Sequence, residues 1–139
     1  MECSATVRSS QGRHEAMVAT AGLSQAIAIG PKSTGPGSAA SGGELLLLAL
    51  ATCYCNDLYR EAARLGIPLD GVEVTATATF AGVGLAARDI RYSAQVQSPA
   101  PADVIAGLLH ITDQVAEVHN TLRAGTPVAL CIGPDGGCV

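Results

Sequence analysis

The stretch that most restricts this chain is residues 44–66, ELLLLALATCYCNDLYREAARLG. Leu45 through Ala51 are strong helix formers in an unbroken run. NDLYREAARLG continues it amphipathically until Gly66 and Pro68 stop it. The spacing predicts a helix from Glu44 to about Leu65. Its first turns are apolar on every side, so the helix is expected to be central and buried. The apolar run from Leu45 to Cys55 is too short to span a bilayer, so no membrane role is expected. The chain must instead gather sheet around the helix.

The remaining pattern supplies that sheet. ATVRSS, HEAMVAT and SQAIAIG, separated by Gln11-Gly12 and Ala21-Gly22, read as a three-stranded meander. Residues 30–43, GPKSTGPGSAASGG, hold five Gly, two Pro and four Ser or Thr. They form a long loop, a kind of segment often functional in a compact domain; an interdomain linker is the alternative, but thirty preceding residues are too few for a domain. After the helix, VEVTATATF (72–80) alternates apolar and polar residues. AGVGLAA turns the chain and RDIRYSAQVQ alternates again, which makes a hairpin. Pro99 and Pro101 open a second helix, with Val104, Leu108, Ile111, Val115, Val118 and Leu122 along one face and a possible break at Thr112-Asp113. Gly125 and Pro127 end it, and VALCIG is the last strand. The order βββ-α-ββ-α-β defines an α+β fold, an antiparallel sheet packed on a central helix. Its 139 residues fit a single domain, 1–139.

Charge and composition exclude some functions. The net charge is −4 with eight Lys plus Arg, no Trp and 3% aromatics, so neither a basic footprint nor stacking platforms for nucleic acid exist. The opening MECSATVRSSQGRHE lacks a charged region followed by an apolar one, so no leader is expected and the protein is placed in the cytoplasm. There the five cysteines, Cys3, Cys53, Cys55, Cys131 and Cys138, odd in number and irregularly spaced, are expected as free thiols.

Helical geometry separates Cys53 from Cys55. At about 100° per residue they lie roughly 200° apart, so they cannot bond each other or share a metal on an intact helix. Cys53 shares its face with Leu46, Ala49, Leu50, Asp57 and Arg60. Cys55 shares its face with Leu48, Ala51, Leu58, Tyr59 and Ala62. A thiolate needs polar or cationic surroundings. Cys53 is therefore the candidate reactive thiol, and Cys55 is expected to be core packing.

GGELLLLALATCY, GIPLDGVEVTATATF and the second helix running into GTPVAL resemble the OsmC/Ohr family (osmotically inducible protein C and organic hydroperoxide resistance proteins). The resemblance implies an intertwined homodimer with active sites at the subunit interface. It implies a thiolate that attacks organic hydroperoxides, a second cysteine that resolves the sulfenic acid, and a thiol reductant, commonly a lipoyl group. Cys53 falls on the reactive position. The family motif of cysteine, proline, hydrophobe and serine falls on Ala116, Glu117, Val118 and His119, so the resolving cysteine is absent from its usual place. GGEL stands where P-E-x-L is usual, which puts Gly43 at the activating glutamate and Glu44 one residue later. Arg8 or Arg13 would supply the activating arginine.

The site expectation is thus Cys53, His119 and Glu44. His119, three residues after Ala116, would stabilise the thiolate as His⁺ or pass a proton; otherwise it is a helix-surface histidine near a C-terminus. Cys131 or Cys138 could resolve Cys53 only within disulfide reach. No close-spaced ligand pair supports a zinc site around Cys53 and His119, and no cofactor is expected. Two functions follow: thiol-dependent reduction of organic hydroperoxides, or a non-catalytic dimer that binds a small apolar ligand between its subunits.

Overall fold

The computed structural model describes residues 1–132 and 137–138. The chain forms two compact units, Met1–Leu46 and Leu47 onward. In the first, β1 (Cys3–Ser10), β2 (Arg13–Thr20) and β3 (Leu23–Ile27) make an antiparallel meander in the order β1-β2-β3. Two-residue turns set the register, Ser10 opposite Arg13 and Thr20 opposite Leu23. Gly12 and Gly22, with φ of 73° and 81°, supply the left-handed backbone such tight turns require. β1 and β3 are exposed along their whole length.

The second unit is a helix-on-sheet layer. Helix α1 spans Gly42–Leu65, and the division between the units falls within it. β4 (Gly71–Thr79) and β5 (Arg88–Gln97) pair antiparallel with Val72 opposite Val96 and Ala76 opposite Tyr92. Their alternation puts Val72, Val74, Tyr92, Ala94 and Val96 against Tyr54, Leu58, Ala62, Leu108 and Ala116. The core of this unit thus sits between the C-terminal half of α1 and the hairpin. The first turns of α1 are less enclosed than their composition predicts, with Leu48 56% exposed.

The second expected helix is two helices. α2 covers Ala102–Val115 and α3 covers Glu117–Arg123, joined at an extended Ala116 (φ −73°, ψ 103°). The break is not at Thr112-Asp113, because the Thr112 hydroxyl donates to the Leu108 carbonyl inside the helix instead of capping a new one. Asn120 Nδ2 donates to the Gln114 carbonyl at the end of α2. The buried face also differs from the apolar stripe. Val104, Val115 and Leu122 are 38–40% exposed, while Leu108, Thr112, Ala116 and His119 are buried. The buried positions of α2 and α3 thus include small and polar side chains, which residue type alone does not reveal.

The last strand is short. β6 (Cys131–Ile132) pairs with β7 (Gly137–Cys138). This sets Cys131 opposite Cys138, and the two are joined by a disulfide. The expectation of five free thiols is corrected accordingly: Cys3, Cys53 and Cys55 are the free ones. Gly133, at the end of the predicted strand, lies outside the described residues. No described helix is long and apolar enough to cross a membrane.

Candidate functional site

One stripe of α1 brings titratable groups into the core. Leu50, Tyr54, Asp57, Leu58, Glu61 and Ala62 are its buried residues, and two of them are carboxylates. The Cys53 thiol, half-buried beside this stripe, donates to Asp57 Oδ2 at 3.4 Å and lies 3.9 Å from Glu117 Oε2. Positions i and i+4 of one helix place Cys53 over Asp57. Glu117 arrives from the start of α3, 64 residues away in sequence. The Val118 backbone N–H acts to lower the thiol's pKa. The segment aligned with the resolving-cysteine motif therefore does lie beside Cys53, with Ala116 itself packed into the core.

The charges around the sulfur are mainly acidic. Burial, together with Asp57 and Glu117, pushes the Cys53 thiol above its ordinary pKa, against the lowering effect of the Val118 N–H. The described surroundings in this unit thus disfavour the thiolate rather than stabilise it. Arg60 is shared among the acids: Nη1 lies 2.7 Å from Asp57 Oδ1 and 3.6 Å from Glu117 Oε1, and Nε lies 3.3 Å from Glu61 Oε1. Arg64 makes a second pair with Glu61 at 2.7 Å. Asp57 is 4% exposed. Its burial raises its pKa first of all; the Cys53 hydrogen bond and Arg60 act downward, and Glu117 acts upward. Donor atoms of Cys53, Asp57 and Glu117 lie within 4.8 Å of one another, and the His119 nitrogens do not join them. Arg60 pairs with both carboxylates of this group.

His119 is 3% exposed, not a surface histidine. It packs between Tyr54 and Tyr92, with ring centroids at 5.8 and 4.4 Å, and neither ring nitrogen has a hydrogen-bond partner. Burial and Arg123 lower its pKa, more than Asp113 and Asp57 raise it. Neutral imidazole is thereby favoured over the His⁺ form. Below it, Asp113 accepts from the Tyr92 hydroxyl and pairs with Arg123 Nη2 at 2.6 Å. A cavity of about 210 Å³ is lined by Leu50, Ile90, Tyr92, His119, Leu122 and Arg123.

The remaining expected residues have local roles. The Glu44 carboxylate accepts the Ser41 N–H at 2.6 Å while the Ser41 hydroxyl accepts the Glu44 N–H at 3.1 Å. This is a capping box, and its hydrogen bonds hold Glu44 below the usual carboxylate range. The S-x-x-E spacing from residue 41 to 44 is the signal that identifies it. Arg13 pairs with Glu15 at 3.7 Å, and Arg8 stands opposite Glu15 in the register; both arginines are exposed. Cys55 is half-buried like Cys53, not enclosed core filler. Sequence reasoning placed Asp57 on the Cys53 face but gave it no role, and gave none to Asp113, Tyr92 or Arg123. The i, i+4 spacing to Cys53 was the available signal for Asp57.

Fold and site together define an α+β protein that presents a thiol on its longest helix, beside an acidic cluster. The OsmC-like protein family profile matches residues 35–130, and the chain belongs to that family. Its structure is similar to an OsmC-like protein from Mycoplasma pneumoniae (18% identity, 88% of this chain and 89% of the other, TM-score 0.63). It is also similar to an OsmC-like hydroperoxide resistance protein from Jannaschia sp. CCS1 (15% identity, 99% and 95%, TM-score 0.59). A third is an organic hydroperoxide resistance protein from Elizabethkingia anophelis with thiocyanate bound (16% identity, 88% and 89%, TM-score 0.60). No protein of curated function matches the sequence.

Proposed function

We propose that this chain is a thiol-dependent peroxidase in which Cys53 reduces organic hydroperoxides without a resolving cysteine. One observation carries the reading: the Cys53 thiol donates to a buried carboxylate, Asp57, at 3.4 Å. A nucleophile with an adjacent base that is itself oriented by a third group is the arrangement nucleophilic catalysis needs, and Arg60 orients Asp57. The hydroperoxide resistance function in the names of the Jannaschia and Elizabethkingia proteins supports the substrate class.

In this cycle the Cys53 thiol reacts with ROOH to give the sulfenic acid and ROH. An external thiol condenses with the sulfenic acid, releasing water and forming a mixed disulfide. A second thiol then restores Cys53 and leaves as the oxidised disulfide. Cys131 and Cys138 bond each other and take no part while that bridge is intact. In this reading Glu44 acts as the α1 cap and His119 as a wall of the neighbouring cavity.

The protein is further read as a single OsmC-like domain, 1–139, acting as an intertwined cytoplasmic homodimer. Exposed apolar side chains support association, among them Val7 (60%), Leu23 (81%) and Leu130 (65%). The test is consumption of an organic hydroperoxide with a dithiol reductant, together with light scattering. Turnover, and a mass near twice the 14.0 kDa of one chain, are expected. An inert protein overturns the activity, and a single-chain mass overturns the dimer.

The second reading, a non-catalytic dimer that binds a small apolar ligand, is favoured by the raised Cys53 pKa and by the cavity beside His119. Thermal stabilisation by small apolar compounds in a protein that never consumes hydroperoxide would select it.

A further inference from the structure

We propose that Asp57 is the proton carrier of Cys53, taking the thiol proton as sulfur attacks the hydroperoxide and returning it to the departing alkoxide. The inference rests on the peroxidase reading above. Asp57 Oδ2 accepts the thiol hydrogen bond at 3.4 Å, while Arg60 holds Oδ1 at 2.7 Å and leaves Oδ2 facing the sulfur. An S–O bond forms as the O–O bond breaks. The proton moves from sulfur to Asp57 and from Asp57 to the alkoxide, so Cys53 becomes a sulfenic acid, ROOH becomes ROH, and Asp57 is again a carboxylate. Passing the proton within the attack spares the site a free thiolate among carboxylates.

The alternatives are placed less well. Glu117 lies at 3.9 Å with a side chain 70% exposed, so water competes for its oxygens. His119 is not within donor range of the cluster. The charged and titratable groups facing the pair are Arg60 and Glu61 on α1 and Glu117 and His119 on α3, and they include three acids with Asp57 around one guanidinium. A buried carboxylate in that company takes up a proton more readily than a solvated one, in keeping with the raised pKa of Asp57.

The test compares two reactions of Cys53 in wild type and Asp57→Asn, followed by peptide-resolved mass spectrometry. Iodoacetamide expels iodide, which needs no proton; tert-butyl hydroperoxide expels an alkoxide, which does. Removing the negative charge favours thiolate, so Asp57→Asn should alkylate about threefold to tenfold faster at neutral pH. The same variant should oxidise about tenfold slower or worse, because it lacks the general acid. Rates that move together, or do not move, overturn the relay, as does loss of oxidation in Glu117→Gln with none in Asp57→Asn. A wild type that alkylates but never oxidises overturns the peroxidase reading and the relay with it; one that oxidises no faster than Asp57→Asn overturns the relay alone. If Asp57→Asn fails to fold, carboxyl NMR of wild type and Cys53→Ala decides. Loss of the S–H donor should move the Asp57 titration upward, and an unmoved titration overturns the relay.

Discussion

Asp57 and Asp113 are bound alike: each accepts a hydrogen bond from a weak acid, Cys53 or Tyr92, and each pairs with an arginine. Their pKa values nevertheless move in opposite directions. Asp57 rises, chiefly through burial, while the Arg123 and Tyr92 hydrogen bonds hold Asp113 below its ordinary range. Two differences account for this. The Asp57 side chain is 5% exposed against 34% for Asp113, and Arg60 is divided among three acids while Arg123, among the described residues, forms its ion pair with Asp113 alone. An arginine beside a carboxylate does not by itself fix an anion; the number of acids it serves and the access of water decide. Asp57 is the carboxylate suited to exchange protons, and Asp113 the one suited to remain charged.

The largest effect that could break this comparison is at the thiol. Cys53→Ser should reduce hydroperoxide turnover by about a thousandfold or more, since no other described free thiol shares the Asp57 site. Cys55→Ala should stay within about twofold in the same coupled assay. The reverse pattern in folded protein would move the reactive centre to the other side of α1.

The second prediction contrasts the carboxylates by urea denaturation at pH 3 to 7. Asp113 has a lowered folded pKa, so its contribution is present above the unfolded value near 3.8 and is lost as pH falls through the folded one. Asp113→Asn should therefore flatten the rise of stability with pH and, as a charged hydrogen-bond partner is lost, cost about 1–2 kcal/mol at pH 7. Asp57 has a raised folded pKa, so the native state holds its proton more tightly and Asp57 opposes stability as pH rises from about 3.8. Asp57→Asn should steepen the rise. Equal slopes would erase the distinction.

A smaller effect is expected at His119, next to the Asp113 pair. With a lowered folded pKa, the native state binds fewer protons than the unfolded chain, so stability falls as pH drops through about 6.5. His119→Leu should remove that loss and gain about 1 kcal/mol at pH 7 by deleting unpartnered buried nitrogens. Chemical denaturation at pH 7 and 5.5 reads both, and an unchanged pH dependence would show that His119 finds partners in solution.

The last prediction concerns oxidation without reductant. With Ala116 at the resolving position and Cys131 bonded to Cys138, excess hydroperoxide should carry Cys53 past the sulfenic acid to over-oxidised forms. Mass spectrometry that instead finds a peptide joining Cys53 to another cysteine would reveal a resolving thiol.

Local pattern carried much of the fold. Helix-forming composition determined α1 to within two residues of its ends, period-two alternation determined the β4–β5 hairpin, and the Gly-containing turns placed β1–β3. Angular separation along α1 put Cys53 and Cys55 on different faces before any packing was considered. These features depend on neighbours a few residues away, so the sequence by itself contained them. The tertiary structure alone added Glu117 to the Asp57 side of Cys53, because Glu117 reaches the sulfur from 64 residues away. It also decided the rotation of α2 and α3 that buries Thr112, Ala116 and His119, and the bridge between Cys131 and Cys138. Periodicity marks which residues share a face; only the approach of distant segments determines which face is covered and what charge it meets.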